Sequence, residues 1–276
     1  MPTKKETSKT DPTDFSDIVG KITPVHEVED CTAMLVYGKS GTGKTAFAST
    51  FPKPLIVLDV QEKGTETISQ VEGIDVISIE SWDSFQQIYW YLASGKSKYK
   101  SVVIDQISQL QAVRMQSLRS ENKMEPTDTF SRRDWGVVSG DLQTWLLNYR
   151  NLRDSGLHVC FIAHERSNAS EEAIEDQIDP SIGPRVMPSV SSFINGAASV
   201  IGNTFIRETF DEKKNRSVQY CMRVGPHAYY VTKVRKPVHA EIDVPDVLVN
   251  PTFEKIMSIS RGEKPAPKRS VSKRSA

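Results

Sequence analysis

Cysteine is scarce in this chain of 276 residues: Cys31, Cys160 and Cys221 are the only three, far apart and in no Cys-x-x-Cys spacing. That excludes a disulfide framework and a cysteine-based zinc site, and it fits a reducing compartment such as the cytosol. An excess of either charge is also lacking. Lysine plus arginine and aspartate plus glutamate number 35 each, for a formal net charge of zero, so any nucleic-acid contact must be local rather than spread over a basic coat. No apolar run approaches the roughly 20 residues that span a bilayer, and the lysine-rich start has no apolar core of a signal peptide. A soluble, cytoplasmic protein is expected.

What is present is a hydrophobic fraction of 38%, enough for one sizeable α/β domain. Residues 1–25 read as a polar tail and lead-in, 26–260 as the domain, and 261–276 as a second tail with a basic excess. Between the tails, Leu55–Val60, Val76–Ile79, Ser101–Asp105 and His158–Ala163 are short apolar runs rich in branched residues, as strands buried on both faces require. Helical spacing separates them at Ser84–Ala93 and Gly140–Asp154. Right-handed crossovers then predict a mostly parallel sheet flanked by helices, with ligands at the carboxyl ends of its strands. After about Asn203 the pattern alternates through Thr204–Thr209, Val218–Val224 and Ala228–Val234, which predicts antiparallel strands extending the same sheet.

Gly38-Lys39-Ser40-Gly41-Thr42-Gly43-Lys44-Thr45 fills the phosphate-binding pattern G-x-x-x-x-G-K-[ST], behind the apolar run Ala33–Tyr37 and ahead of a helical start. Glycines allow a tight turn that aims successive N–H groups at phosphate oxygens, at the positive end of a helix. Lys44 is placed to reach the β- and γ-phosphates and Thr45 to ligate Mg²⁺, so ATP and Mg²⁺ are the expected ligands. Asp105, at the tip of an apolar strand, is the second expected metal residue. Hydrolysis needs a group that orients water, and Asp59, Gln61 and Glu62 after the second strand are candidates.

These motifs, with Phe161-Ile162-Ala163-His164-Glu165-Arg166 and Tyr230-Val231-Thr232-Lys233-Val234-Arg235-Lys236-Pro237, resemble in order the ATPase core of RecA-like recombinases. The short phage-encoded ATPases of recombination and single-strand annealing are most similar, and Asp134-Trp135-Gly136 also resembles that group. The resemblance implies a RecA-like P-loop NTPase fold and ATP hydrolysis. It also implies action on single-stranded DNA, alone or beside a single-strand-binding protein, and a homo-oligomeric ring or filament in the host cytoplasm. It makes His164 a γ-phosphate sensor, and Lys233 and Arg235 cations inserted into a neighbouring subunit's site. The group's Asp-x-Glu-x-Gly-Thr appears here one residue longer, as Asp59-Val60-Gln61-Glu62-Lys63-Gly64-Thr65. Either Gln61 or Glu62 then takes the catalytic glutamate's place, and Glu62 is preferred because glutamine is a poor base.

The loop expected to face DNA carries Glu171, Glu172, Glu175, Asp176 and Asp179, which repel phosphate. The Arg114, Arg119, Lys123, Arg132 and Arg133 region and the basic C-terminal tail are the alternative DNA contacts. Trp135, Trp145 and Tyr149 are candidates for base stacking, although the helical spacing of the last two favours a core. Competing readings are an AAA+ loader, a small-molecule kinase and a nucleotide-gated module with little hydrolysis. AAA+ motors usually place Glu after the metal-side Asp, where this chain has Gln106, and add a helical lid, where this chain reads as ending in strands.

Overall fold

The computed structural model describes residues 31–167, 182–210 and 215–263, with Val19, Gly20, Ile22 and Pro24. The two expected tails, apart from those four positions and the first residues after 260, lie outside the described residues, and so does the acidic segment Glu171–Asp179. The chain divides into a unit Met1–Asp30 and a unit Cys31–Ala276, and the architecture below belongs to the second.

Among the described residues its sheet has ten strands: β1 Ala33–Gly38, β2 Leu55–Asp59, β3 Ile74–Ser78, β4 Ser101–Asp105, β5 His158–Ser167, β6 Ile182–Pro184, β7 Val200–Phe210, β8 Arg216–Arg223, β9 Lys233–Val234 and β10 Val247–Val249. The order is β3-β2-β4-β5-β1-β7-β8-β10, with β6 on β5 and β9 on β7. From β3 to β7 every neighbour is parallel; β8, β9 and β10 extend it antiparallel. This is the expected α/β class with its C-terminal antiparallel extension, although of the expected strand Ala228–Val234 only Lys233–Val234 forms one.

Period-two alternation decides which face each strand residue serves. On β1, Ala33, Leu35 and Tyr37 enter one core, while Met34 and Val36 enter the other. On β5, Val159, Phe161 and Ala163 go one way and Cys160 and Ile162 the other. The first face is covered by α2 Trp82–Ala93, α3 Ile107–Glu121, α4 Arg132–Asn151 and α5 Pro188–Ala197. The second is covered by the short α1 Lys44–Ala48 and by α6 Phe253–Arg261, through Phe47, Phe253, Ile256 and Met257. Each such side chain buried in full contributes roughly 1.5–3 kcal/mol.

Four expectations need correction. The edge strand β3 is not buried on both faces, since Val76 is exposed. The described chain ends in a helix rather than strands: Thr252 caps α6 by accepting from Lys255 N, and Gly262 closes it in the left-handed conformation. The long helix starts at Arg132, where Ser131 and Asp134 form a reciprocal capping box, so Asp134-Trp135-Gly136 is the first turn of α4. Finally, Arg114 is no surface cation. Its side chain is 7% exposed, bonded to Glu121 and Asp141 at 2.7 Å each and stacked on Trp82. Arg119 lies over the Phe130 ring. Arg119 also donates to Glu125 O in the loop that joins the two helices. Tyr149 is buried, stacks on Phe85 and donates its hydroxyl to Phe85 O. No helix among the described residues is long and apolar enough to cross a membrane.

Candidate nucleotide site

The loop after β1 turns back on itself before α1. Gly43 precedes the helix with φ 87°, a left-handed value that only glycine adopts freely, and a Cβ there would meet the Tyr220 ring at 2.9 Å. At Gly38 a Cβ would lie 2.4 Å from Thr204 Oγ1, so β7 can approach the loop only because that residue has no side chain. Thr204 uses the approach to bond Thr42 Oγ1 at 2.7 Å, tying the loop apex to the sheet.

Lys44 Nζ donates to Gly38 O at 3.1 Å and Lys39 O at 2.8 Å. Burial lowers its pKa, against the pull of Asp105, Glu62 and Glu165. Thr45 Oγ1 donates to Asp105 Oδ2 at 2.8 Å. The two residues come from β4 and from the helix after β1, with β5 between those strands. Burial raises the Asp105 pKa, opposed by the Thr45 bond, while Glu62 adds to the rise. Two hard oxygen donors side by side fit Mg²⁺, which takes few protein ligands and completes its shell with phosphate oxygens and water. Among the described residues no cluster of three or more His, Cys, Asp or Glu forms a self-sufficient metal cage.

The extra residue after β2 is absorbed in a turn. Asp59 Oδ1 accepts from the N–H groups of Glu62 and Lys63, at 3.1 and 3.0 Å, while Gln61 and Lys63 take left-handed φ values of 63° and 52°. The turn brings Glu62 to the cleft wall, whereas Gln61 does not line the cleft. Glu62 Oε1 stands 3.1 Å from His164 Nε2, and Gln106 Nε2 stands 2.7 Å from that same nitrogen. One ring nitrogen carries at most one hydrogen, so it cannot donate to Glu62 and accept from Gln106 at once. Gln106 Oε1, buried and unpartnered, leaves the amide free to turn over.

The cleft holding these groups has a volume of about 640 Å³ and is also lined by Phe47, Thr67, Tyr220, Asn250, Pro251 and Thr252. Sequence reasoning missed Gln106 as a partner of His164, and it missed the Tyr220 and Asn250 wall altogether. The only available signal for that wall was its place between a strand and a capped helix. Lys233 and Arg235 are not in the cleft. Both donate to the last carbonyls of α5, Lys233 to Asn195 O and Arg235 to Gly196 O. Ile201↔Lys233 pairing puts them at the start of β7, the end of the parallel strands opposite the phosphate loop.

A phosphate loop, a metal-side aspartate and a cleft carboxylate on this sheet define a nucleotide-binding P-loop ATPase. The chain belongs to the AAA-domain family, whose pattern it matches over residues 31–236. It is similar in structure to the flagellar accessory protein FlaH of Methanocaldococcus jannaschii, with 11% identity, a TM-score of 0.42, and 79% of this chain and 84% of that one covered. No curated protein matches it.

Proposed function

We propose that this chain hydrolyses ATP with Mg²⁺ and acts on single-stranded DNA in recombination, annealing or replication of the phage type, as a homo-oligomer and alongside a single-strand-binding protein. The observation that supports hydrolysis best is the convergence of Glu62 and His164, 3.1 Å apart, on the cleft that holds Lys44, Thr45 and Asp105. Lys44 stabilises charge on the transferred phosphoryl group. Thr45 and Asp105 would hold Mg²⁺, which when bound neutralises phosphate charge. Glu62 orients and polarises the attacking water, and His164 senses the γ-phosphate beside it. The carboxylate follows β2, not Asp105, where Gln106 stands. That position favours a RecA-like reading over a loader of the AAA+ type.

A second groove of about 580 Å³ supports the polynucleotide part of the reading. It is lined by Gln109, Gln111, Met115, Trp135, Arg166 and Arg185, a mixture of cations, amides and one ring that suits phosphates and stacked bases. It adjoins His164 directly: Arg185 N donates to His164 O at 2.7 Å, and His164 N donates to Ser108 Oγ at 3.1 Å. Steady-state ATP hydrolysis by the purified chain with and without single-stranded DNA tests the reading. Marked stimulation is expected. Hydrolysis indifferent to DNA, with no DNA binding, removes the polynucleotide role, and absence of turnover removes the enzyme.

A further inference from the structure

Hydrolysis uses only one end of the cleft. The other end is formed by Tyr220 on β8 and by Asn250, Pro251 and Thr252 in the turn between β10 and α6. We infer that this end is a nucleobase subsite in which the Asn250 carboxamide reads the amino edge of adenine between the Tyr220 ring and Pro251. The inference rests on the ATP-site reading above and adds the residue that selects the base.

The turn is held in place without help from a ligand. Asn250 N donates to Tyr220 O at 2.7 Å, the Lys255 ammonium donates to Val249 O and Asn250 O, and Phe253 N donates to Thr50 Oγ1 at 2.8 Å. Every polar backbone group of Asn250 is therefore satisfied. Its φ of 48° is a left-handed value that asparagine tolerates better than most side chains. The residue is exposed, and its carboxamide makes no hydrogen bond among the described residues. A fixed backbone that presents an unpaired planar amide at a cleft wall is preorganised for binding.

The chemistry of that amide selects the ligand. A carboxamide offers an acceptor and a donor side by side. Adenine offers the complement, an amino donor next to a ring-nitrogen acceptor, and Asn pairs with it in bidentate fashion. Tyr220, 47% exposed and seated on Gly43, supplies an aromatic face continuous with the phosphate loop, and Pro251 supplies an apolar one. A base entering here continues from a triphosphate whose tail lies on Lys44.

The test is equilibrium binding of three probes to the full chain: ATP, purine riboside 5′-triphosphate, which lacks only the amino group, and inorganic tripolyphosphate. The wild type is expected to favour ATP over the analogue by about tenfold, within the range of one bidentate base contact. Asn250→Gly keeps the left-handed backbone and removes the amide. Asn250→Asp keeps the size and removes the donor. Asn250→Gly should bring the ratio close to one, with its tripolyphosphate binding unchanged as proof of an intact loop, whereas Asn250→Asp keeps the acceptor for the amino group and should weaken both nucleotides while preserving the preference for ATP. A ratio unaltered in Asn250→Gly, or a wild type that binds all three probes without discriminating, overturns the base subsite and leaves the ATP site standing. A wild type that binds none of the three overturns both.

Discussion

At the scale of single residues, Lys44 and Asp105 pull stability and function in opposite directions. Both are buried charges whose pKa values burial shifts toward the neutral form. Asp105→Asn should therefore raise the thermal stability of the nucleotide-free protein by ~1 kcal/mol, within the range of single stabilising substitutions that cost activity. The same variant should lose Mg²⁺-dependent hydrolysis, and calorimetry beside an ATPase assay reads both effects. Lys44→Ala should lower turnover by roughly a hundredfold or more, since it removes a preorganised cation from the transferring group; normal turnover by the folded variant would dismiss the site. Glu62→Gln should reduce kcat by about a hundredfold with little change in nucleotide affinity, because the carboxylate acts mainly in the transition state. Gln61→Ala should be nearly neutral. The reverse ranking would restore the other register. The sequence prefers Glu62 on side-chain basicity alone; what it does not display is the bond by which Asp59 folds the inserted residue into a turn. That is a side-chain bond, and no spacing encodes it.

At the scale of elements, β4 was legible to the residue, because a run buried on both faces has nothing but branched apolar side chains between its polar ends. α3 was not legible. Its polar face and its buried cation disguise a helix that packs through Ile107, Leu110, Val113 and Leu118. Arg114 looked like a surface charge because its partners are remote in sequence, Glu121 two helical turns away and Asp141 on the neighbouring helix. Arg114→Ala should cost about 2 kcal/mol. It falls short of the 3–5 kcal/mol typical of breaking a fully buried pair, because the Glu121 and Asp141 side chains are 49% and 37% exposed and can rehydrate. Chemical denaturation measures this. DNA affinity of the folded variant should not change, and a large drop would return α3 to the DNA face. The C-terminal helix α6 escaped detection for a similar reason, being short and flanked by strand-like residues.

For the whole molecule, the open question of charge is where Lys233 and Arg235 act. Within one subunit they neutralise the negative end of α5, worth about 0.3–1 kcal/mol each. For a neighbouring subunit's γ-phosphate they would exchange those carbonyls for a stronger anion. A Lys233→Ala, Arg235→Ala double variant that still binds ATP but does not turn it over, and that regains activity when mixed with Lys44→Ala protein, is the expected outcome of cross-subunit catalysis. A double variant that is merely less stable and fully active would restrict the pair to capping. The parallel topology also has a consequence during synthesis. Ala33 pairs with Val159 and Met34 with Val200, so the strand that carries the phosphate loop leaves the ribosome long before either of its neighbours exists. At 5–20 residues per second the wait lasts on the order of ten seconds. Throughout that interval an apolar strand with two open edges is available to any other nascent chain, which makes the central strand of the finished protein the point where its translation is most exposed to misassembly.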